Sequence, residues 1–285
     1  MNETSEPAEP VPADPRDDEA RVARALLAIA ARPPLVHCLT NIVVAGFTAN
    51  VLLALGASPA MVENTEEAAP FAAMAGAVLV NLGTLSGERA AAMRLAATSA
   101  RAHHVPWVLD PVAVGALAHR SALAVELLDA RPSIIRGNGS EIQALARAAG
   151  ATSAADGAGG GGRGVDSLAG SDEAIDAAGA LACARGCVVA VSGATDYITD
   201  GTRTVAVAGG HPMMTQVTGM GCALGAVMAA AIAVDDDAQR AAVAASAVFA
   251  TAGQRAAPGA TGPGSFAVAF IDHLAMLSRS SQPDG

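Results

Sequence analysis

Short apolar runs alternate with longer stretches of helical periodicity along most of the chain. The runs LVHCL, PAMV, AVLVNL, VPWVLD and SIIRG are brief and bounded by turn residues, the pattern of buried strands. Between them, FTANVLLALG, EEAAPFAAMA, SGERAAAMRLAATSARA, a stretch near 121–130 and SEIQALARAAG space their apolar residues as helices do. Strand and helix in repeated alternation predict an α/β fold, with a central, mostly parallel sheet and helices on both faces. Further along, CVVAVSG reads as a strand and YITDGTRTVAVAGG as a hairpin turning at Asp200 and Gly201. Two long Ala-rich helices, over about 222–234 and 237–257, and a last helix from Ser265 complete the pattern.

The pattern also sets the limits of the domain. Residues 1–20 are acidic and Pro-rich without apolar periodicity, so a disordered tail is expected there, and the fold begins with the helical stretch that stops at Pro33. A single domain over 21–279 follows, carrying a Gly-rich loop, ATSAADGAGGGGRG, at 151–164 and leaving a short tail at 280–285. No internal repeat is visible.

Composition removes whole classes of function. A formal charge of -10 argues against nucleic acid as a partner, because phosphate backbones select basic surfaces. All 17 basic residues are arginine, so Schiff-base chemistry and the lysine-bearing phosphate loop are both closed to this chain. Any nucleotide must be held by backbone amides and arginine. The N-terminus lacks the basic start and apolar stretch of a secretory signal, so Cys38, Cys183, Cys187 and Cys222 are expected as reduced thiols in the cytoplasm. Cys183 and Cys187 have no second Cys/His pair at metal-ligand spacing, which argues against a structural zinc. The longest apolar stretch, Ala223 to Val234, is too short to span a membrane.

Ligands of parallel sheets bind beyond the carboxyl ends of the strands, so the residues that close a strand are candidates for chemistry. T-G-M-G-C at 218–222 lies where a connection meets a helix. Its glycines permit a tight turn, and the amides of Gly219, Met220, Gly221 and Cys222 are placed to form an anion hole. The same motif also serves as a plain Gly-rich turn that lets helix and strand pack closely. Asp110 hangs at the end of the strand VPWVL. In RGNGSEI, Arg136 ends a strand, and Asn138 to Glu141 has the spacing of a capping box. Two carboxylates, Asp110 and Glu141, beside an arginine and an amide-rich helix start are the parts needed for a magnesium nucleotide, with Mg²⁺ held through water. His37, His103, His104 and His211 are general-base candidates by residue type only. His37 reads better as a strand residue that packs or hydrogen-bonds, His103 and His104 as a helix end, and Trp107 as core.

The stretches PLVHCLTN, FTANVLLALGASPAM, NLGTL, VPWVLDPV, IIRGNGSEI, RGVDS, VTGMGC and GPGSF carry a resemblance. In their order and spacing, from about Pro34 to Phe266, the chain resembles the hydroxyethylthiazole kinases of thiamin salvage, which have the ribokinase-like fold. The resemblance implies transfer of phosphate from ATP, with Mg²⁺, to the primary alcohol of 4-methyl-5-(2-hydroxyethyl)thiazole. It also implies a homotrimer with thiazole pockets between subunits. Residue by residue, it assigns Met61, Gly219 and Asn41 to the thiazole and Arg136 and Ser192 to ATP. Asp110 and Glu141 fall to the magnesium nucleotide, and Cys222 to catalysis beside the acceptor hydroxyl. At Cys222 most ribokinase-like kinases have an aspartate. A helix N-terminus is expected to lower the pKa of that thiol.

Two departures stand out. Serine replaces the family's usual threonine at 192 and keeps the hydroxyl, whereas D-P-V-A-V-G replaces D-P-V-G-A-G and puts side chains at Ala113 and Val114. The alternatives are a ribokinase-like kinase for another small alcohol, such as hydroxymethylpyrimidine, or a non-catalytic sensor on the same fold. Cys222 and the context of Met61 speak against the first. The full set of nucleotide-side residues speaks against the second.

Overall fold

In the strand at 77–81, Ala77 and Leu79 enter one core while Val78 and Val80 enter another, so the period-two alternation serves two buried faces. That arrangement holds across the sheet in the computed structural model, which describes residues 11–12, 15–151 and 171–281. The strands are β1 (Val11–Pro12), β2 (Leu35–Leu39), β3 (Ser58–Ala60), β4 (Ala77–Asn81), β5 (Trp107–Asp110), β6 (Ile134–Asn138), β7 (Val188–Ser192), β8 (Thr195–Thr199) and β9 (Thr204–Ala208). They lie in the order β1-β9-β8-β7-β6-β5-β4-β2-β3. Neighbours from β3 through β7 pair parallel, and β8 alone runs against its neighbours.

The helices divide between the faces. On one lie α1 (Pro15–Ala31), α2 (Ala45–Ala54), α8 (Met220–Ile232), α9 (Ala238–Ala256) and α10 (Pro263–Ser280). On the other lie α3 (Thr65–Met74), α4 (Gly87–Ala102), α5 (Ala118–Leu127), α6 (Gly139–Ala148) and α7 (Ile175–Arg185). Helix α8 is buried on nearly every side, as an all-round apolar sequence requires, and its alanines let it approach the sheet closely. Trp107 is core, with its indole N–H donating to the Ala130 carbonyl at 3.1 Å.

Most boundaries match the sequence pattern within two or three residues. Of the expected tail, residues 11–12 pair with β9 and residues 15–20 form the start of α1, where Pro15 suits a first helical position. Residues 1–10 and 13–14, residues 152–164 of the Gly-rich loop and residues 282–285 lie outside the described residues. The helix expected near 121–130 runs over 118–127 and ends in a 3₁₀ turn at Leu128–Ala130. The β8–β9 hairpin turns through Gly201 at φ +90°, a left-handed conformation that glycine tolerates.

Candidate active site

Three features of T-G-M-G-C have separate physical causes. Gly219 is the N-cap of α8 at φ +95°, and a Cβ there would meet Val44 Cγ1 at 2.6 Å. Gly221 passes so close to Arg136 that a Cβ would lie 2.8 Å from both terminal guanidinium nitrogens. The amides of Gly219, Gly221 and Cys222, at the helix start, have no acceptor within their own helix. Met220 behaves differently from the expected donor, since its amide turns back to the Val217 carbonyl at 3.5 Å. The open helix start therefore presents fewer amides than the motif promised, with a guanidinium packed against it.

Beneath that helix start, a chain of polar contacts crosses the carboxyl ends of five strands. Asn41, which follows β2, donates from Nδ2 to Asn81 Oδ1 at 3.0 Å and to Cys222 Sγ at 3.4 Å. Asn81 closes β4 directly beside Asp110, which closes β5, and its Nδ2 donates to Asp110 Oδ2 at 2.6 Å. Arg136 Nη1 lies 3.7 Å from the same oxygen, and Arg136 Nε donates to Ser192 Oγ, at the end of β7, at 3.1 Å. Helix α8 crosses above, with the Cβ position of Gly225 3.7 Å from Asp110 Oδ2. Cys222, Asn41, Asp110, Arg136 and Ser192 are thus brought together.

Met61 lies outside this chain. It follows β3 and is half-buried against the core, and the next residue is tied to the sheet because His37 Nε2 bonds the Val62 carbonyl at 2.8 Å. Burial lowers the pKa of His37 against that hydrogen bond, and its ring meets Phe71 edge-on at 5.0 Å. His211 accepts from the Met213 amide as a cap, and His103 caps α4 with His104 at φ +57°. None of these four histidines joins the strand-end chain.

Glu141 is committed to backbone. One oxygen accepts the Asn138 amide at 2.9 Å and completes the capping box of α6, and the other accepts the Ala113 amide at 2.9 Å. Ala113 is left-handed at φ +62°, so alanine occupies a conformation suited to the glycine of D-P-V-G-A-G. Glu141 nonetheless acts on Asp110 electrostatically.

Burial raises the Asp110 carboxyl to about 7, opposed by Arg136, reinforced by Glu141 and opposed again by the Asn81 hydrogen bond. Its Oδ1 is buried without a hydrogen-bond partner, which is costly for a carboxylate and fits a site meant to hold a cation. Among the described residues no group of three or more His, Cys, Asp or Glu side chains could hold a metal. Asp110 and Glu141 offer carboxylate oxygens, the donor chemistry that suits Mg²⁺, which keeps several waters and takes phosphate oxygens.

Cys222 corrects the expectation of an acidified thiol. Burial, then the neighbouring Asp110 carboxylate, push it up to about 11, against the pull of Arg136, Asn81 and Asn41. The open amides at the helix start do not outweigh these effects, and the thiol is neutral at pH 7. All four cysteines are free, and burial likewise pushes Cys38 and Cys187 up to about 12.

Sequence reasoning missed Asn81, although it closes the apolar strand AVLVN just as Asp110 closes WVLD. It also missed Arg89, which joins Glu63 and the Thr40 carbonyl and donates to Thr84 Oγ1 at 3.1 Å. Arg89 thereby ties together the loops after β2, β3 and β4. Asp196 on β8 is a third, its carboxyl raised by burial against the Gly193 amide and Arg136.

Fold and site define a small-molecule kinase of ribokinase-like architecture. A ribokinase-like superfamily protein from Enterococcus faecalis shares the fold at a TM-score of 0.57 and 13% identity, covering 92% of this chain and 83% of that one. The model of the hydroxyethylthiazole kinase family matches residues 26–280. The hydroxyethylthiazole kinase of Granulibacter bethesdensis is 56% identical over 247 residues, 87% of this chain and 86% of that protein. The solved hydroxyethylthiazole kinase of Pyrococcus horikoshii superposes with a TM-score of 0.80 at 36% identity, covering 90% and 92% of the two chains. The chain belongs to the hydroxyethylthiazole kinase family. Among the described residues no helix is long and apolar enough to cross a membrane.

Proposed function

We propose that this protein phosphorylates the primary alcohol of 4-methyl-5-(2-hydroxyethyl)thiazole with ATP, a step of thiamin salvage. The observation that carries this reading is the unbroken polar chain from Cys222 and Asn41 through Asp110 to Arg136 and Ser192, under the start of α8. Its Cys222 end receives the alcohol, with Asn41, Met61 and Gly219 around the thiazole. Its Arg136 end receives the nucleotide, with Ser192 beside it. The alcohol oxygen bonds to the γ-phosphorus, the bond from that phosphorus to ADP breaks, and the hydroxyl proton is released.

Mg²⁺, when bound, neutralises charge on the phosphates, and Asp110 with Glu141 would hold it through water. Arg136 and the amides of Gly219, Gly221 and Cys222 stabilise the transferring phosphoryl group. Cys222 touches the acceptor hydroxyl as a neutral group, because phosphoryl transfer through a loose transition state demands little prior deprotonation. Catalysis is then mainly positioning and electrostatics.

Residues 21–279 work as one kinase domain in the cytoplasm, a location that the free cysteines support. The protein assembles as a homotrimer whose pockets are completed by neighbouring subunits. The segment after Asn41 supports this assembly, since Ile42 and Val43 are 73% and 63% exposed. The test is ATP consumption with the thiazole alcohol, hydroxymethylpyrimidine and other small alcohols. Rapid, saturable turnover is expected with the thiazole alcohol, and a better rate with hydroxymethylpyrimidine, or none with any alcohol, refutes the reading.

A further inference from the structure

The strand-end chain has a fixed polarity, and one residue sets it. Asn81 Oδ1 receives both the Gly83 amide and Asn41 Nδ2, each at 3.0 Å. A backbone N–H can only donate, so it fixes which end of the Asn81 amide faces it. The nitrogen must then face Asp110, where it donates at 2.6 Å. Gly83 is pinned in turn, because a Cβ there would sit 2.7 Å from Asn41 Cβ.

The consequence passes to Asn41. Facing an oxygen, Asn41 must present its amide nitrogen, and the two hydrogens of that nitrogen go to Asn81 Oδ1 and Cys222 Sγ. What Asn41 can offer a ligand is therefore its carbonyl oxygen, an acceptor for a hydroxyl hydrogen. Without Asn81 the amide would be free to turn over and present N–H groups instead.

We propose that Asn81 is a positioning residue for the phosphoryl acceptor: it locks Asn41 as a hydrogen-bond acceptor for the substrate hydroxyl while holding Asp110 on the nucleotide side. This rests on the reading of Asn41 and Cys222 as acceptor-side groups. Asn81 touches neither substrate and acts through its two neighbours. The two halves of the site are thereby oriented by one side chain anchored to the Gly83 backbone.

Two substitutions separate the halves. Asn81→Asp is isosteric and keeps an oxygen for Gly83 and Asn41, but turns an oxygen toward Asp110. Asn81→Ala removes both functions. The probe is the thiazole alcohol, titrated calorimetrically into the nucleotide-free protein, with folding of each variant followed by thermal melting. The expected result is alcohol affinity within threefold of wild type in Asn81→Asp, with its defect confined to magnesium-nucleotide affinity and turnover. Asn81→Ala should bind the alcohol about tenfold more weakly, the scale of one lost hydrogen bond. Adding Asn41→Ala to Asn81→Ala should then cost no further affinity. Wild-type alcohol affinity in Asn81→Ala, or losses that multiply in the double variant, overturns the proposal provided that Asn41→Ala alone weakens binding. Unchanged binding in Asn41→Ala overturns instead the reading of the acceptor side. If Asn81→Ala does not fold, Asn81→Asp decides alone, and tenfold weaker alcohol binding there overturns the proposal.

Discussion

Replacing Cys222 by alanine distinguishes a base from a neutral contact, and the thiol's surroundings set the size of each effect. With its pKa pushed up to about 11, the thiol is ionised only to about 10⁻⁴ at pH 7, and that fraction grows tenfold with each pH unit. A kinase that depended on the thiolate would gain about 100-fold in turnover between pH 7 and pH 9. Its alanine variant would lose the 10²- to 10⁴-fold typical of a general base and lose the pH slope as well. A neutral contact is worth a single weak hydrogen bond, about 0.5–1.5 kcal/mol or roughly 2- to 13-fold. The neutral thiol favours the second outcome. Expected, then, are a fall of about tenfold or less in kcat for Cys222→Ala and wild-type and variant pH profiles that run parallel from pH 7 to pH 9. Steady-state assays at saturating ATP and thiazole alcohol measure both quantities. A loss beyond 100-fold, joined to a unit slope that vanishes in the variant, refutes the reasoning. Cys222→Asp should not exceed Cys222→Ala, because the burial and the Asp110 charge that hold the thiol neutral oppose a carboxylate in the same place.

Glu141→Gln leaves one oxygen for two amides, so it should cost about 1 kcal/mol in denaturant unfolding and raise the Mg²⁺ concentration needed for half-maximal activity. Normal stability together with normal magnesium dependence would contradict both roles. Asp110 has its folded pKa raised to about 7 from an unfolded value near 3.9, so its contribution to stability is full below about pH 4 and is lost as pH rises through 7. Asp110→Asn should therefore be more resistant to denaturant than the nucleotide-free parent at pH 8, yet at least about 100-fold less active; a destabilised variant at pH 8 would contradict the burial argument. Ala113→Gly relieves about 1–2 kcal/mol of left-handed strain and gives back about 0.4–1 kcal/mol in unfolded-chain entropy, so the denaturant midpoint should rise slightly. A clear fall would show that the alanine is unstrained. Sedimentation should find a trimer, and a fully active monomer at assay concentration would refute pockets shared between subunits.

What the sequence disclosed and what it hid separate along the line between local and tertiary causes. Sheet and helices were readable because each leaves a period in consecutive residues, and Ala77 to Val80 feed two cores alternately for that reason. Gly219 was readable because left-handed backbone selects glycine, and Asp110 because a carboxylate closing an apolar strand has few structural uses. The Cys222 ionisation was not readable. A helix start is a local feature and favours the thiolate, whereas the burial and the Asp110 charge that oppose it come from distant chain. Glu141 fell between the two. Its capping box was visible in the N-x-x-E spacing, but its second amide belongs to Ala113, which no spacing within RGNGSEI reveals. Asn81 escaped because asparagine before a glycine loop looks like a turn former, and only the register that sets it beside Asp110 turns it into a relay. The rule that singled out Asp110 applies equally to any polar residue closing an apolar strand of a parallel sheet, neutral ones included. A neutral amide is the group able to join an acidic half of a site to a thiol half, since it donates to one neighbour and accepts from another without adding charge to either.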